Sequence, residues 1–118
     1  MTLSPASNPP MPTVVGTTPW QRAEAASSAI KNTTLRSLFA GDPKRAEKYT
    51  VEAGSLRVDL SKHLLNDELL AALLGVVEAA GVAEQAEAMF SGAKINNTEI
   101  RSVLHTALRL PRGATPHR

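Results

Sequence analysis

The sequence predicts a mostly α-helical chain that carries one short antiparallel β-hairpin. Three observations carry this expectation. Apolar residues recur at helical spacing through most of residues 19–110. One stretch, YTVEAGSLRVDLSK at residues 49–62, switches instead to alternation around Gly54-Ser55. Between these stretches stand helix start and stop signals, with Thr or Asn before an apolar run and Gly or Pro after it.

The first eighteen residues, MTLSPASNPPMPTVVGTT, are rich in Pro, Ser and Thr and hold no charged side chain, so residues 1–18 are expected to be a flexible leader. They lack the basic start and unbroken apolar core of a secretory signal. Thr18-Pro19 marks a helix start, with Thr as cap and Pro at the first helical position, where a missing N–H costs nothing. The helix carries WQRAEAASSAIK, with Trp20, Ala23 and Ile30 as core candidates. Thr34 caps LRSLFA, in which Leu35, Leu38 and Phe39 share a face, and Gly41-Asp42-Pro43 stops it. Pro43 then opens a short turn through KRAEKY.

The hairpin is expected over residues 49–60. Tyr49, Val51 and Ala53 alternate with Thr50 and Glu52, and Leu56, Val58 and Leu60 alternate with Arg57 and Asp59. Gly54 stands at the first central position of a two-residue turn. A lone hairpin is marginal in water and needs a surface to lie on.

Asn66 caps DELLAALLGVVEAA, whose first turn holds Asp67 and Glu68 where the helix dipole favours acids, and Gly81 ends it. Leu69, Leu70, Leu73, Leu74, Val76 and Val77 cover more than half of its circumference. A helix apolar on most sides is buried on most sides. The rest of the chain offers little to cover it, since Trp20, Phe39, Tyr49 and Phe90 are the only aromatic residues. VAEQAEAMFSG forms the next helix, with Val82, Ala86, Met89 and Phe90 facing inward. Asn96-x-x-Glu99 has the spacing of a capping box, Asn96 accepting from the Glu99 N–H and Glu99 reaching back to the Asn96 N–H. The helix it starts runs to about Leu110, with Ile100, Val103, Leu104, Ala107 and Leu108 on its apolar face, and Pro111 ends it. Residues 111–118 are expected to be a disordered tail.

Composition excludes several chemistries. There is no cysteine, hence no disulfide frame and no thiolate metal site. His63, His105 and His117 show no ligand spacing, so no metal site is expected. The net charge of +2 is too small to imply a nucleic-acid partner, and no aromatic residue interleaves the basic ones near the carboxy terminus. No window is long and apolar enough to span a membrane, and a soluble, cytoplasmic chain is expected. Glu99 and His105 stand six residues apart and would point about 120° away from each other on a helix, so they do not make an acid–base pair. Arg101 and His105, at i and i+4, would share a face. Asp59 and Lys62 read as a strand-end salt bridge, with contact to a phosphate-bearing partner as the alternative. No phosphate loop, nucleophile elbow or Walker motif occurs. No catalytic, substrate-binding or metal residue is nominated from the residues themselves.

Two runs nevertheless resemble one family. LRSLFAGDPKRAEKYTVEAGSLRVDLSKH is similar to the early region of glucose-6-phosphate isomerases, with its Leu-Arg, Phe-Ala-x-Asp-Pro-x-Arg and Asp-aromatic-Ser-Lys segments. MFSGAKINNTEIRSVLHTALR resembles the same family's Met-Phe-x-Gly-x-x-Ile-Asn-x-Thr-Glu-x-Arg-Ala-Val-Leu-His-x-Ala-Leu-Arg run. Leu60, His63 and Ser102 depart from it, standing where an aromatic residue, Asn and Ala are usual. The resemblance covers about residues 19–112 and implies the amino-terminal part of a much longer enzyme with two α/β/α sandwich domains. It implies aldose–ketose isomerisation of glucose 6-phosphate through a cis-enediol, in glycolysis and gluconeogenesis, with no organic cofactor. In the family the reacting groups come after the segment present here. Asn96, Thr98, Glu99, Arg101 and His105 match the signature and are expected to be scaffold. The chain is accordingly expected to be an inactive fragment by itself, the sugar phosphate being a partner of the complete enzyme only. The alternative is a helical interaction module that self-associates or docks with a separate carboxy-terminal chain.

Overall fold

In the computed structural model, which describes residues 13–96 and 98–115, three helices precede a hairpin, and two further helices and a 3-10 helix follow it. Helix α1, Thr18–Ile30, begins one residue earlier than its Thr-Pro signal predicts. Thr17 is the cap residue, its carbonyl accepting from the Gln21 N–H at 2.9 Å. The Thr17 hydroxyl donates to the Val14 carbonyl at 2.6 Å, closing the turn before the helix. α1 buries Ala23, Ala26 and Ile30, while Trp20 stays half-buried. Helix α2, Leu35–Gly41, carries a reciprocal cap: Thr34 Oγ1 accepts from the Ser37 N–H at 3.2 Å, and Ser37 Oγ accepts from the Thr34 N–H at 3.3 Å. The predicted turn after Pro43 is a single helical turn, α3, Arg45–Lys48.

Strands β1, Thr50–Ala53, and β2, Leu56–Asp59, pair antiparallel with Val51 opposite Val58 and Ala53 opposite Leu56. Gly54 has φ of 61°, the left-handed geometry that lets two residues reverse the chain. The Leu60 N–H donates to the Tyr49 carbonyl at 2.9 Å, so pairing reaches the two ends expected from the alternation.

Helix α4, Asp67–Ala79, is capped as predicted, Asn66 Oδ1 accepting from the Leu69 N–H at 2.9 Å. Of its apolar set Leu69 alone is fully buried, and Leu73, Leu74 and Val77 are exposed. Gly81, with φ of 65°, serves two helices. Its N–H donates to the Glu78 carbonyl at 2.9 Å as α4 ends, and its carbonyl accepts from the Gln85 N–H at 3.0 Å as α5, Val82–Phe90, begins. The expected inward face of α5 is not enclosed: Ala86 and Met89 are half-buried, but Val82 and Phe90 are exposed.

The chain divides near the end of α4 into two units. Val14–Val76 holds the core, in which Ala26, Ile30, Tyr49, Leu65 and Leu69 are buried and Leu38, Leu60, Leu70 and Ala72 pack against them. Leu60, where the family resemblance calls for an aromatic residue, therefore packs as a core neighbour. In the other unit, none of the described residues from Val77 onward is fully buried.

The helix expected from Asn96 to Leu110 does not form. Asn96 and Arg101 instead make an antiparallel bridge, the Asn96 N–H donating to the Arg101 carbonyl at 3.1 Å. Ile100 sits at φ of 53°, which no α-helix can contain. Only a 3-10 helix, His105–Arg109, remains of the prediction, and Arg101 and His105 share no helical face. The physical reason is the lack of a surface. A helix of this length gains most of its stability from a packed apolar face, and here Ile100, Leu104 and Leu108 are exposed. Local bonds to the Asn96 side chain then compete successfully. Beyond Leu110, the Ala114 N–H donates to the Pro111 carbonyl at 3.0 Å; residues 116–118 of the expected tail, like residues 1–12 of the expected leader, lie outside the described residues. No single helix among the described residues is long and apolar enough to cross a membrane.

Candidate functional site

The polar centre of the chain is Arg45, 2% exposed within Val14–Val76. Its position follows from Asp42-Pro43. Asp42 Oδ1 accepts from the Lys44 N–H at 3.1 Å and the Asp42 carbonyl accepts from the Arg45 N–H at 3.1 Å, winding the chain into α3. The Arg45 guanidinium then meets the segment between β2 and α4. Nε donates to the Ser61 carbonyl at 2.8 Å, Nη2 to the His63 carbonyl at 2.8 Å and Nη1 to the Leu65 carbonyl at 2.7 Å. The ring of Tyr49 lies 4.7 Å and that of Phe39 5.6 Å from its central carbon. A buried cation without a carboxylate partner is costly; three carbonyl dipoles and two ring faces replace its water.

A second group flanks this clamp. Asp67, at the first position of α4, accepts from Lys48 Nζ at 2.6 Å and from the Tyr49 hydroxyl at 2.7 Å. The Lys48 bond, and then the Tyr49 bond, hold the Asp67 carboxyl below the ordinary aspartate range. The same bond to Asp67 raises the Lys48 ammonium. Burial, reinforced by the bond to Asp67, raises the Tyr49 hydroxyl. Lys48 also reaches Asp42 at 3.7 Å. At the end of β2, Asp59 Oδ1 accepts from the Ser61 N–H at 2.8 Å. The bond from the Ser61 hydroxyl, followed by that from its N–H, lowers the Asp59 carboxyl. The strand-end partner of Asp59 is thus Ser61 rather than the expected Lys62, because a neighbour two residues on needs no long side chain to be held in place.

In the second unit, Asn96, Thr98, Glu99 and Arg101 come together as a turn. Asn96 Oδ1 accepts from the Thr98 N–H at 3.1 Å, the Thr98 hydroxyl at 3.0 Å and the Glu99 N–H at 3.2 Å. The first half of the expected capping box is therefore present. The second half is absent, since the Asn96 N–H bonds to Arg101 and the Glu99 carboxylate pairs with Arg101 Nη1 at 3.1 Å. His105 stands apart from this turn at the start of the 3-10 helix. A cavity of about 260 Å³ in this unit is lined by Met89, Phe90, Leu104 and Leu110, with Thr106 and Arg109 as its polar side chains.

Chemically, these groups order the backbone. Each guanidinium nitrogen of Arg45 is already bonded to a carbonyl. Asp67 is held as a carboxylate of low basicity, the opposite of a general base tuned for neutral pH. Among the described residues no three His, Cys, Asp or Glu side chains converge to hold a metal ion.

The phosphoglucose isomerase family model matches residues 59–116. Glucose-6-phosphate isomerase of Corynebacterium kroppenstedtii is 46% identical over 110 residues, which is 93% of this chain and 20% of that protein. Glucose-6-phosphate isomerase 1 of Streptomyces coelicolor is 53% identical over 92 residues, 78% of this chain and 17% of that protein. The chain belongs to the phosphoglucose isomerase family. It spans about a fifth of the length of the curated relatives it matches. Glucose-6-phosphate isomerase 1 of Streptomyces avermitilis reaches 60% identity over 80 residues.

Sequence reasoning missed the Arg45 clamp and the Asp67 pair. The available signal was Arg45 at the end of Phe-Ala-x-Asp-Pro-x-Arg, a run of the phosphoglucose isomerase resemblance with no exposed role to explain it. Ser102, a departure from that resemblance, uses what alanine lacks: its hydroxyl donates to the Gly92 carbonyl at 2.6 Å.

Proposed function

We propose that these residues form the amino-terminal portion of a glucose-6-phosphate isomerase, supporting an α/β/α sandwich whose reacting groups lie elsewhere. The complete enzyme would interconvert glucose 6-phosphate and fructose 6-phosphate by moving a proton between C2 and C1 through an enediol. The chain by itself supplies no base within reach of a held sugar phosphate, and it is inactive. The observation that carries this reading is the identity of 46% over 93% of the chain to a protein of which it spans 20%. The clamp supports it, because Arg45, Asp67 and Asn96 bind within the chain rather than facing a ligand. Asn96, Thr98, Glu99, Arg101 and His105 act as scaffold.

A coupled assay for fructose 6-phosphate tests this in two steps. The purified chain gives no turnover above background. A full-length Corynebacterium kroppenstedtii enzyme whose matching segment is replaced by this chain gives turnover. Isomerisation by the chain alone, or an inactive but folded chimera, would refute the proposal. The exposed leucines of α4 favour a second reading, a helical module that docks with a separate carboxy-terminal chain. Restoration of activity by mixing two separately expressed chains would select it.

A further inference from the structure

We infer that the Ser102 hydroxyl is a latch: it holds residues 98–110 in their turn form and opposes their winding into a helix, which makes this stretch a two-state element. The acceptor of the latch is prepared by the end of α5. Gly92 is left-handed, with φ of 78°. The Ala93 N–H donates to the Ala88 carbonyl at 2.9 Å and the Gly92 N–H to the Met89 carbonyl at 3.2 Å. This pair of bonds is the Schellman closure of a helix end, and it fixes the direction of the Gly92 carbonyl. The Ser102 hydroxyl reaches back ten residues and donates to that carbonyl at 2.6 Å, a short bond in a half-buried place.

Some bonds of the turn choose between the two forms and some do not. The Glu99 N–H donates to Asn96 Oδ1 at 3.2 Å as it would in a capped helix, so this bond serves both. The Asn96 carbonyl does choose. A helix would give it the Ile100 N–H, whereas here the Arg101 N–H donates to it at 3.4 Å, one residue farther on. That extra step is made at Ile100, whose φ of 53° is strained for a β-branched residue and persists only where bonds on either side impose it. The Asn96–Arg101 bridge is one such restraint and the Ser102 bond is the other. A helix would carry Ser102 about 9 Å along the axis from Asn96, while the latch keeps it within bonding distance of Gly92, which precedes Asn96. The helical form therefore gives up the Ser102 bond. What favours the helix is its apolar face, since Ile100, Leu104 and Leu108 would share one side there and are exposed in the turn.

The test is made on the 118-residue chain. Helix in residues 98–110 is read from Cα chemical shifts during a titration with trifluoroethanol, a solvent that favours helices. Ser102→Ala also raises intrinsic helix propensity, so the control is Thr106→Ala, which raises it at least as much without touching the latch. Ser102→Ala is expected to raise the helix-to-turn ratio at least about threefold more than Thr106→Ala does, and to speed amide exchange at Arg101 by a similar factor in water. Ser102→Thr, which keeps the hydroxyl, is expected to stay within about twofold of the unsubstituted chain. Unchanged amide signals from Val14–Val76 show that each variant is folded. Equal gains from Ser102→Ala and Thr106→Ala overturn the latch, because propensity then accounts for both. Unchanged exchange at Arg101 in Ser102→Ala overturns it as well. Faster exchange with no helix at any trifluoroethanol concentration overturns the two-state element. The isomerase reading stands or falls separately, since only the backbone of this chain is measured.

Discussion

The two units of the chain spend their apolar residues differently. Val14–Val76 encloses Ile30, Tyr49, Leu65 and Leu69 around Arg45. Beyond Val77 nothing described is fully buried, and Leu108 is 86% exposed. Apolar content does not explain the contrast, since leucines, valines and isoleucines occur throughout. The first unit has a polar clamp that gathers α3, the hairpin and the start of α4 around shared neighbours. The second has turns closed within themselves, at Asn96–Arg101 and between Ser102 and Gly92. A small chain closes a core where long-range bonds bring elements together, and apolar faces without such bonds wait for cover.

The sharpest way to break this comparison is Arg45→Ala. It removes three charge-assisted bonds and both ring contacts, and is expected to cost about 3–5 kcal/mol in urea unfolding followed by circular dichroism. Arg45→Lys recovers only part, because one ammonium cannot span three carbonyls. A loss below about 1 kcal/mol would mean that the clamp does not organise the unit. Next in size is a pair of leucines. Leu69→Ala, in the core, is expected to cost about 2–4 kcal/mol, and Leu108→Ala less than about 0.5 kcal/mol. Equal losses would erase the distinction between the units.

A pair of asparagines sharpens it further. Asn66→Ala removes the cap of α4 and costs about 1 kcal/mol. Asn96→Ala, which would cost as much if it capped a long helix, is expected to leave the main unfolding transition in place and to speed amide exchange at Thr98 and Glu99. The smallest effect is on pH dependence. Asp67 is lowered in the folded chain, so its contribution is complete above about pH 4 and is lost as pH falls through its folded value. Lys48 and Tyr49 are raised, so theirs are complete below about pH 10 and lost as pH rises through their folded values. Asp67→Asn should flatten both limbs of the stability profile; an unchanged profile would show that the pair contributes nothing to folding.

Much of this was readable beforehand for a common reason. Caps, periods and turns act over a few neighbours, so Thr34, Gly54, Asn66 and Gly81 each announced an element that is present. No local signal carries the sandwich architecture or the isomerase activity; both are proposed from relatives of which the chain spans about a fifth. The bond from the Glu99 N–H to Asn96 is present as expected, but the helix it was expected to start is not, since the same Asn–Glu bond begins both a helix and a turn.

By itself, then, the sequence determined where most helices and the hairpin begin and end, because those signals are local. Tertiary structure decided which apolar faces are enclosed and what Arg45 does. The clamp joins residues 16, 18 and 20 positions apart, a convergence that no local period encodes. Whether residues after Asn96 wind into a helix depended on a surface to enclose one face, and among the described residues Ile100, Leu104 and Leu108 stay exposed.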